Sequence, residues 1–286
     1  MISDITLGQF FPGKSPLHLL DPRTKIILAT LFIAAIFVSS TPASFLFLLT
    51  FTLVLVAVSG VSFKVILKSI KPIIFVLLFT SLINIFMTVG DGEPLFAFKF
   101  ISVYPEGIIK AVFMSLRVIL LIVGSSVLLT YTTSPISLTD GIESLLSPLK
   151  YIGVPVHSFA MMMSIALRFI PTLIEETEKI INAQKSRGAD FTSGGLIKRA
   201  KALIPLLVPL FVSAFKRADE LATAMECRCY RGDKGRTKLV KLKYRFADFL
   251  WMLLLLSCLA LTIYGRLLPE NIIGFSDFTQ LIFYKI

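Results

Sequence analysis

Charge is scarce in this chain: Asp, Glu, Lys and Arg make up 16% of its 286 residues, against roughly 25% in soluble globular domains. That excludes an ordinary soluble domain. Histidine occurs twice, as His18 and His157, too far apart in sequence to suggest a catalytic or metal-binding set. A membrane enzyme needs a convergent nucleophile, base or ligand group. Cysteine occurs three times, too few for a disulfide framework. Cys227 and Cys229 sit in a strongly basic segment that reads as cytoplasmic, where thiols stay reduced, and Cys258 sits inside an apolar run, so no disulfide is expected. A cleavable leader is not expected either: residues 1–20 are interrupted by Pro12 and Pro16 and show no basic region followed by an apolar core. The first apolar run should therefore remain in the mature chain.

What is abundant is apolar side chains, at 55% of residues, with a mean hydropathy of +0.83. A bilayer core of about 30 Å takes roughly 20 apolar helical residues to cross, and five runs approach that length: 26–40, 43–60, 73–89, 111–131 and 246–264. The first is short and the fourth contains Arg117. The expected fold class is an all-α integral membrane protein with about five transmembrane helices plus long cytoplasmic coupling helices.

Flanking Lys and Arg orient the spans. Arg23 and Lys25 precede the first, and Lys64, Lys68 and Lys71 fill the link between the second and third, which places both segments inside. The link 90–110 carries Asp91, Glu93 and Glu106 against Lys99 and Lys110, and belongs outside. Residues 132–245 hold 18 of the 29 basic and 10 of the 18 acidic residues. Most of the formal charge of +11 is thus concentrated in one stretch. The tail, with Glu270, Asp277 and Lys285, falls outside, its part 272–286 apolar enough to lie in the interface. The expected layout is 1–25 cytoplasmic, 26–131 four spans, 132–245 a cytoplasmic helical region, 246–266 the fifth span and 267–286 an extracytoplasmic or interfacial tail, with the N-terminus in and the C-terminus out.

The cytoplasmic insert carries the most information. Two helical patterns, about 156–187 and 196–228, flank the glycine-containing segment 190–195. Pro171 interrupts the first, Pro205 and Pro209 the second. In the second, Leu210, Ala214, Ala218, Leu221 and Met225 follow helical spacing while Lys216, Arg217, Asp219 and Glu220 face elsewhere, an amphipathic arrangement. Residues 197–215 are apolar enough to count as a sixth span; the prolines and the flanking Lys198, Arg199, Lys201, Lys216 and Arg217 favour a helix lying against the bundle. The two patterns end alike. Ala183-Gln184-Lys185-Ser186-Arg187-Gly188 and Ala224-Met225-Glu226-Cys227-Arg228-Cys229 share Ala-x-x-x-Arg at an offset of 41 residues. Ala and Arg four apart share one helix face. A cation near a helix C-terminus is favoured by the macrodipole by about 0.3–1 kcal/mol, which explains each arginine without a partner. Their duplication favours a second reading, in which two guanidinium groups dock into two equivalent acidic pockets of a dimeric partner, a task for which Lys is a poor substitute.

These endings resemble the paired Ala-Arg-Gly motifs of the transmembrane T component of energy-coupling factor (ECF) transporters, the EcfT/CbiQ-like family. The stretch from Gly8 to Lys25, with Pro12-Gly13-Lys14-Ser15, Leu17-His18, Leu20-Asp21-Pro22-Arg23 and Lys25, is similar to that family's opening segment, and the likeness covers nearly the whole chain in span order. Ser186 replaces the first motif's Ala; Cys227 and Cys229 replace the Ala and Gly of the second, which puts in question how that helix terminates. The resemblance implies a non-catalytic, multi-pass subunit in a prokaryotic cell membrane. Two cytoplasmic ABC-type ATPases, which use ATP and Mg, would receive the ends formed by Ala183, Ser186, Arg187 and Gly188 and by Ala224, Met225, Glu226, Cys227, Arg228 and Cys229. A small membrane S component would bind a vitamin or transition-metal ion. This chain itself would bind no cofactor.

Other signals point less far. Gly8 to Ser15 spells the P-loop pattern, but that motif needs a preceding strand and a following helix, and only seven residues precede Gly8 while Pro16 and Pro22 oppose a long helix. Arg117, costing about 2.5–3.5 kcal/mol at mid-bilayer, is open to a gating role, to structural pairing in the bundle or to snorkelling. Asn84 is a candidate helix bridge. His18 with Asp21, and Cys227 with Cys229, fall short of four metal ligands. Met161-Met162-Met163 suits an adaptable packing or partner surface. The basic stretch from Arg228 to Arg245, with Arg231, Lys234, Arg236, Lys238, Lys241 and Lys243, suits anionic lipid headgroups beside a span better than nucleic acid. A self-contained secondary carrier or channel remains the alternative from another class; it would show polar pairs at mid-depth or broken helices in related halves.

Overall fold

Proline and a few polar caps set where the helices of this chain begin. Proline stands at the start of helices at Pro22, Pro42, Pro105 and Pro135, where its missing N–H is not needed. Asp21 accepts a hydrogen bond from the Arg23 N–H, and Thr41 one from the Ser44 N–H, as side-chain N-caps. The computed structural model describes residues 10–13, 15–39, 41–88, 96–98, 101–189, 191, 195–232 and 242–267. Its elements in chain order are α1 (Pro22–Val38), α2 (Pro42–Ser59), α3 (Phe63–Ile70), a 3-10 turn (Lys71–Ile73), α4 (Ile74–Met87), β1 (Phe96–Phe98) and β2 (Ile101–Val103). They continue with α5 (Pro105–Ser125) prolonged by a π-helical turn (Ser126–Tyr131), α6 (Pro135–Leu146), a 3-10 stretch (Ser147–Ile152), α7 (Val156–Ser186), α8 (Leu196–Cys227) and α9 (Phe246–Leu267). The strands form one antiparallel hairpin with Phe96 opposite Val103. The fold is that of an all-α membrane protein.

The chain divides into two compact units, residues 9–141 with 242–286, and residues 142–241 with 1–8. In the first, α1 is the central helix: Leu28, Phe32, Ala35 and Ile36 are fully buried against Leu48 and Leu55 of α2, Leu120 of α5 and Leu255 of α9. Lipid is as apolar as leucine, so helix association here rests on close packing and hydrogen bonds. Gly124 shows how close. A Cβ there would lie 2.1 Å from Phe32 Cε1. α4 has no buried residue and leans on α5, joined to it by a Ser81–Ser115 hydroxyl hydrogen bond of 2.8 Å. Asn84, expected as a helix bridge, instead donates to Thr80 O of its own helix, because Ser81 is the residue whose short side chain meets α5.

Among the described residues, five helical segments are long and apolar enough to cross a membrane: Pro42–Ser59, Phe63–Met87, Pro105–Tyr131, Val156–Ser186 and Phe246–Tyr264. Four correspond to expected spans. α1, expected as the first, has 17 residues, about 25 Å of helix, and packs its apolar residues into the core. α7, expected as a cytoplasmic helix, is also long and apolar enough, because Arg168 is its only Asp, Glu, Lys or Arg before Glu175.

Two cations secure helix ends in this unit. A helix C-terminus leaves its last carbonyls unpaired. Ser39 O at the end of α1 accepts from Arg117 Nη2 at 2.8 Å, and the guanidinium carbon lies 5.3 Å from the Phe45 ring centroid. Arg117 is thus a structural pairing within the bundle. Beyond the π-helical turn, Tyr131 O accepts from the Phe11 N–H at 3.1 Å and Thr132 O from Lys25 Nζ at 2.8 Å. Lys25 is 2% exposed; the carboxylates of Asp248 and Asp21 supply the opposing charge. Asp248 in turn accepts the backbone N–H groups of Asp21, at 2.8 Å, and Arg245, at 2.6 Å, tying the start of α1 to the start of α9.

Gly124→Ala is expected to cost about 1–3 kcal/mol through overpacking, seen as a lower melting temperature in detergent, with Phe32→Leu restoring much of it. Lys25→Met removes the buried cation that faces Asp248 and is expected to cost about 3–5 kcal/mol; adding Asp248→Asn should recover part of the loss, and a double variant as unstable as the single would refute the pairing.

Candidate functional site

The second unit contains the helices whose endings the sequence singles out. α7 and α8 end at Ser186 and Cys227, within one residue of expectation, and both run on through their prolines. They pack antiparallel. Near the middle, Ser213 of α8 donates its hydroxyl hydrogen to Glu176 Oε1 of α7, and Arg217 Nη2 lies 3.0 Å from Glu176 Oε2. Leu210, Ala214, Leu221 and Met225 are partly buried, whereas Lys216, Asp219, Glu220 and also Ala218 are exposed, which gives the amphipathic stripe its face.

Both helices close in the same way. Arg187 and Arg228 are the C-caps, with φ −87° and −90°. The Gly188 N–H donates to Lys185 O at 2.9 Å and the Ala189 N–H to Gln184 O at 3.0 Å; the Cys229 N–H donates to Glu226 O at 2.8 Å and the Tyr230 N–H to Met225 O at 3.1 Å. Each is a Schellman motif, which needs a left-handed residue after the cap. Gly188 adopts φ 84° at no steric cost; Cys229 adopts φ 54° and is the one non-glycine residue with positive φ among the described residues. Cysteine in the glycine position therefore leaves the mode of termination unchanged and adds strain to it.

Ala183, Ser186, Arg187 and Gly188 gather at one helix end, and Ala224, Met225, Glu226, Cys227, Arg228 and Cys229 at the other; all of these except the partly buried Met225 are exposed. The antiparallel pairing keeps the two sets apart, at opposite ends of a pair whose 31-residue member is about 46 Å long at 1.5 Å per residue. The residues two before each arginine, Lys185 and Glu226, occupy the same position of the motif with opposite charge. One feature escaped the sequence. The α8 end borders a groove of about 550 Å³ lined by Met161, Ser164 and Ile165 of α7 with Leu221, Met225 and the 228–232 segment. Only antiparallel packing brings Met161 near Met225; the spacing of neither helix announces it. Met162 and Met163 are about half exposed and present an outward surface.

The remaining sequence candidates resolve otherwise. Of the P-loop-like segment, Gly8, Gln9 and Lys14 lie outside the described residues. His18 Nδ1 pairs with Ser15 Oγ at 2.6 Å and its Nε2 with Phe11 O at 2.9 Å, so its ring braces the loop, and Asp21 is engaged as a helix cap. Cys227, Cys229 and Cys258 are free thiols. In the basic stretch after Arg228, residues 233–241 lie outside the described residues, as do most of the 190–195 link and the tail after residue 267.

Fold and helix ends define a helical multi-pass membrane protein with two like, exposed arginine ends. Residues 13–239 match the CbiQ family, described as cobalt transport protein. The chain is 54% identical over 267 residues to the energy-coupling factor transporter transmembrane protein EcfT of Clostridium kluyveri, covering 93% of this chain and 98% of that one. It is 56% identical over 250 residues to that of Ruminiclostridium cellulolyticum, covering 87% and 92%, and 50% identical over 248 residues to that of Bacillus subtilis, covering 87% and 93%. The chain belongs to this CbiQ/EcfT family of transmembrane components of energy-coupling factor transporters.

Relieving the left-handed cysteine by Cys229→Gly is expected to stabilise the chain by about 1 kcal/mol, and Gly188→Ala to destabilise it by about 1–2 kcal/mol, both read from thermal unfolding. Equal and negligible effects would show that the two endings do not hold the left-handed conformation.

Proposed function

We propose that this chain is the mechanical link between two cytoplasmic ABC-type ATPases and a small solute-binding S component, for uptake of a vitamin or transition-metal ion. The observation that carries the proposal is the duplicated helix ending: the same hydrogen-bonded cap, the same exposed arginine, at the two ends of one antiparallel pair. One partner patch cannot reach both ends, whereas two related subunits side by side offer two receiving surfaces. Each guanidinium would enter an acidic pocket bidentately, and a rigid helix behind it would carry the displacement that ATP binding and hydrolysis produce in the ATPases. Arg187 and Arg228 transmit force and perform no chemistry; ATP and Mg stay with the partners.

In this reading α7 and α8 lie on the cytoplasmic side, as the concentration of basic residues in 132–245 suggests, with the N-terminus inside and the C-terminus outside a prokaryotic cell membrane. Arg231 and Lys243, at the two margins of the basic stretch, would meet anionic headgroups. Solute choice would rest with the S component.

An Arg187→Glu, Arg228→Glu double variant is expected to lose at least tenfold of the ATPase that co-purifies with the tagged wild-type protein from its native membrane, while each single variant keeps an intermediate amount. Full retention of the ATPases by the double variant would refute the coupling role, and a chain that purifies alone and transports in liposomes without ATP would replace it with a self-contained carrier.

A further inference from the structure

We infer that the lysine face of α3 is a binding site for the headgroup of an anionic phospholipid. Lys64, Lys68 and Lys71 stand at i, i+4 and i+7 and so share one side of the helix; all three are exposed. Beside them runs an apolar ridge of Phe63, 67% exposed, and Leu67, 51% exposed. The opposite side is anchored: Ile66 is buried in the core with Val65 and Ile70 against it. α3 is therefore held in one rotation, lysines and ridge outward.

Depth follows from length. Residues Phe63–Met87 form one 25-residue apolar stretch able to cross a membrane, about 37 Å of helix against a core of about 30 Å. The excess places the charged first turns among the headgroups, with Phe75, 78% exposed, on the acyl side of them. Among the described residues no carboxylate pairs with the row. The sequence contains no Asp or Glu from residue 22 to residue 90, and among the described residues none of the three ammonium groups is in an ion pair. Three like charges on a fixed face call for an external anion, and the adjoining apolar ridge suits one that carries acyl chains, which a free phosphate does not. The occupant is a phospholipid with net negative charge, its phosphate on the lysines and its chains along Phe63 and Leu67. This inference stands apart from the ATPase coupling proposed above, because it concerns the other compact unit.

The experiment reconstitutes the full chain in nanodiscs of equimolar phosphatidylglycerol and phosphatidylcholine, strips bulk lipid with mild detergent and measures the retained ratio by mass spectrometry. Wild type is expected to enrich phosphatidylglycerol by about fivefold per engaged lysine, the equivalent of about 1 kcal/mol each. Lys64→Gln, Lys68→Gln, Lys71→Gln together should bring the ratio close to one. The corresponding triple Arg variant should keep it, and it supplies the readout if the Gln variant fails to fold. Unchanged enrichment in the Gln variant overturns the proposal, as does its loss in the Arg variant. Displacement of the lipid by inorganic phosphate beyond that caused by sodium chloride at equal ionic strength would mark a free-anion site and likewise overturn it.

Discussion

A helix that ends inside a membrane protein leaves carbonyl oxygens that water cannot reach, and each one left bare costs several kcal/mol. The larger unit of this chain is organised around meeting that demand at two places. Arg117 reaches across from α5 to the last carbonyl of α1, and Lys25 reaches from α1 to the carbonyl beyond the π-helical turn. Both are cations at helix C-termini, where the macrodipole favours them. The burial of Lys25 requires counter-charge, and Asp248 meets it while gripping backbone N–H groups at the starts of α1 and α9. A few charged groups thereby fix helices that apolar packing alone would let slide.

The helical pair of the other unit follows a different rule. α7 and α8 need no deep core, since Val156 and Leu206 are the only buried hydrophobic residues among their described ones, but their register matters. It is set by the Glu176 carboxylate, shared between Ser213 and Arg217, and by the partly buried stripe from Leu210 to Met225. Antiparallel register puts the two copies of the sequence repeat at opposite ends of the pair. Chemical differences between those sites, Lys185 against Glu226 and Gly188 against Cys229, sit on an otherwise identical backbone, so whatever meets them distinguishes them by side chain alone.

Much of this was legible in the residues, and the reasons are local. Helix limits at Ser186 and Cys227 follow from the 3.6-residue apolar period and from a left-handed position after each arginine; proline at N1 marks four helix starts. Apolar length identifies the spans, because a bilayer imposes it on any sequence. The arginine endings were likewise visible as a repeat, along with their family.

Other features depended on neighbours distant in sequence. Composition alone cannot show that the apolar residues of α1 serve the packing around Phe32. Arg117 had three roles open to it until Ser39 O and Phe45 came within reach. Asn84 and Ser81 are both polar residues in an apolar run, and only the facing Ser115 decides which one joins two helices. The groove beside Arg228 exists because residues 161–165 lie against residues 221–225, some 60 positions later. The sequence by itself determined what each segment is, through period, caps and apolar length; tertiary structure decided which polar groups meet, because that depends on register between helices, which no single helix encodes.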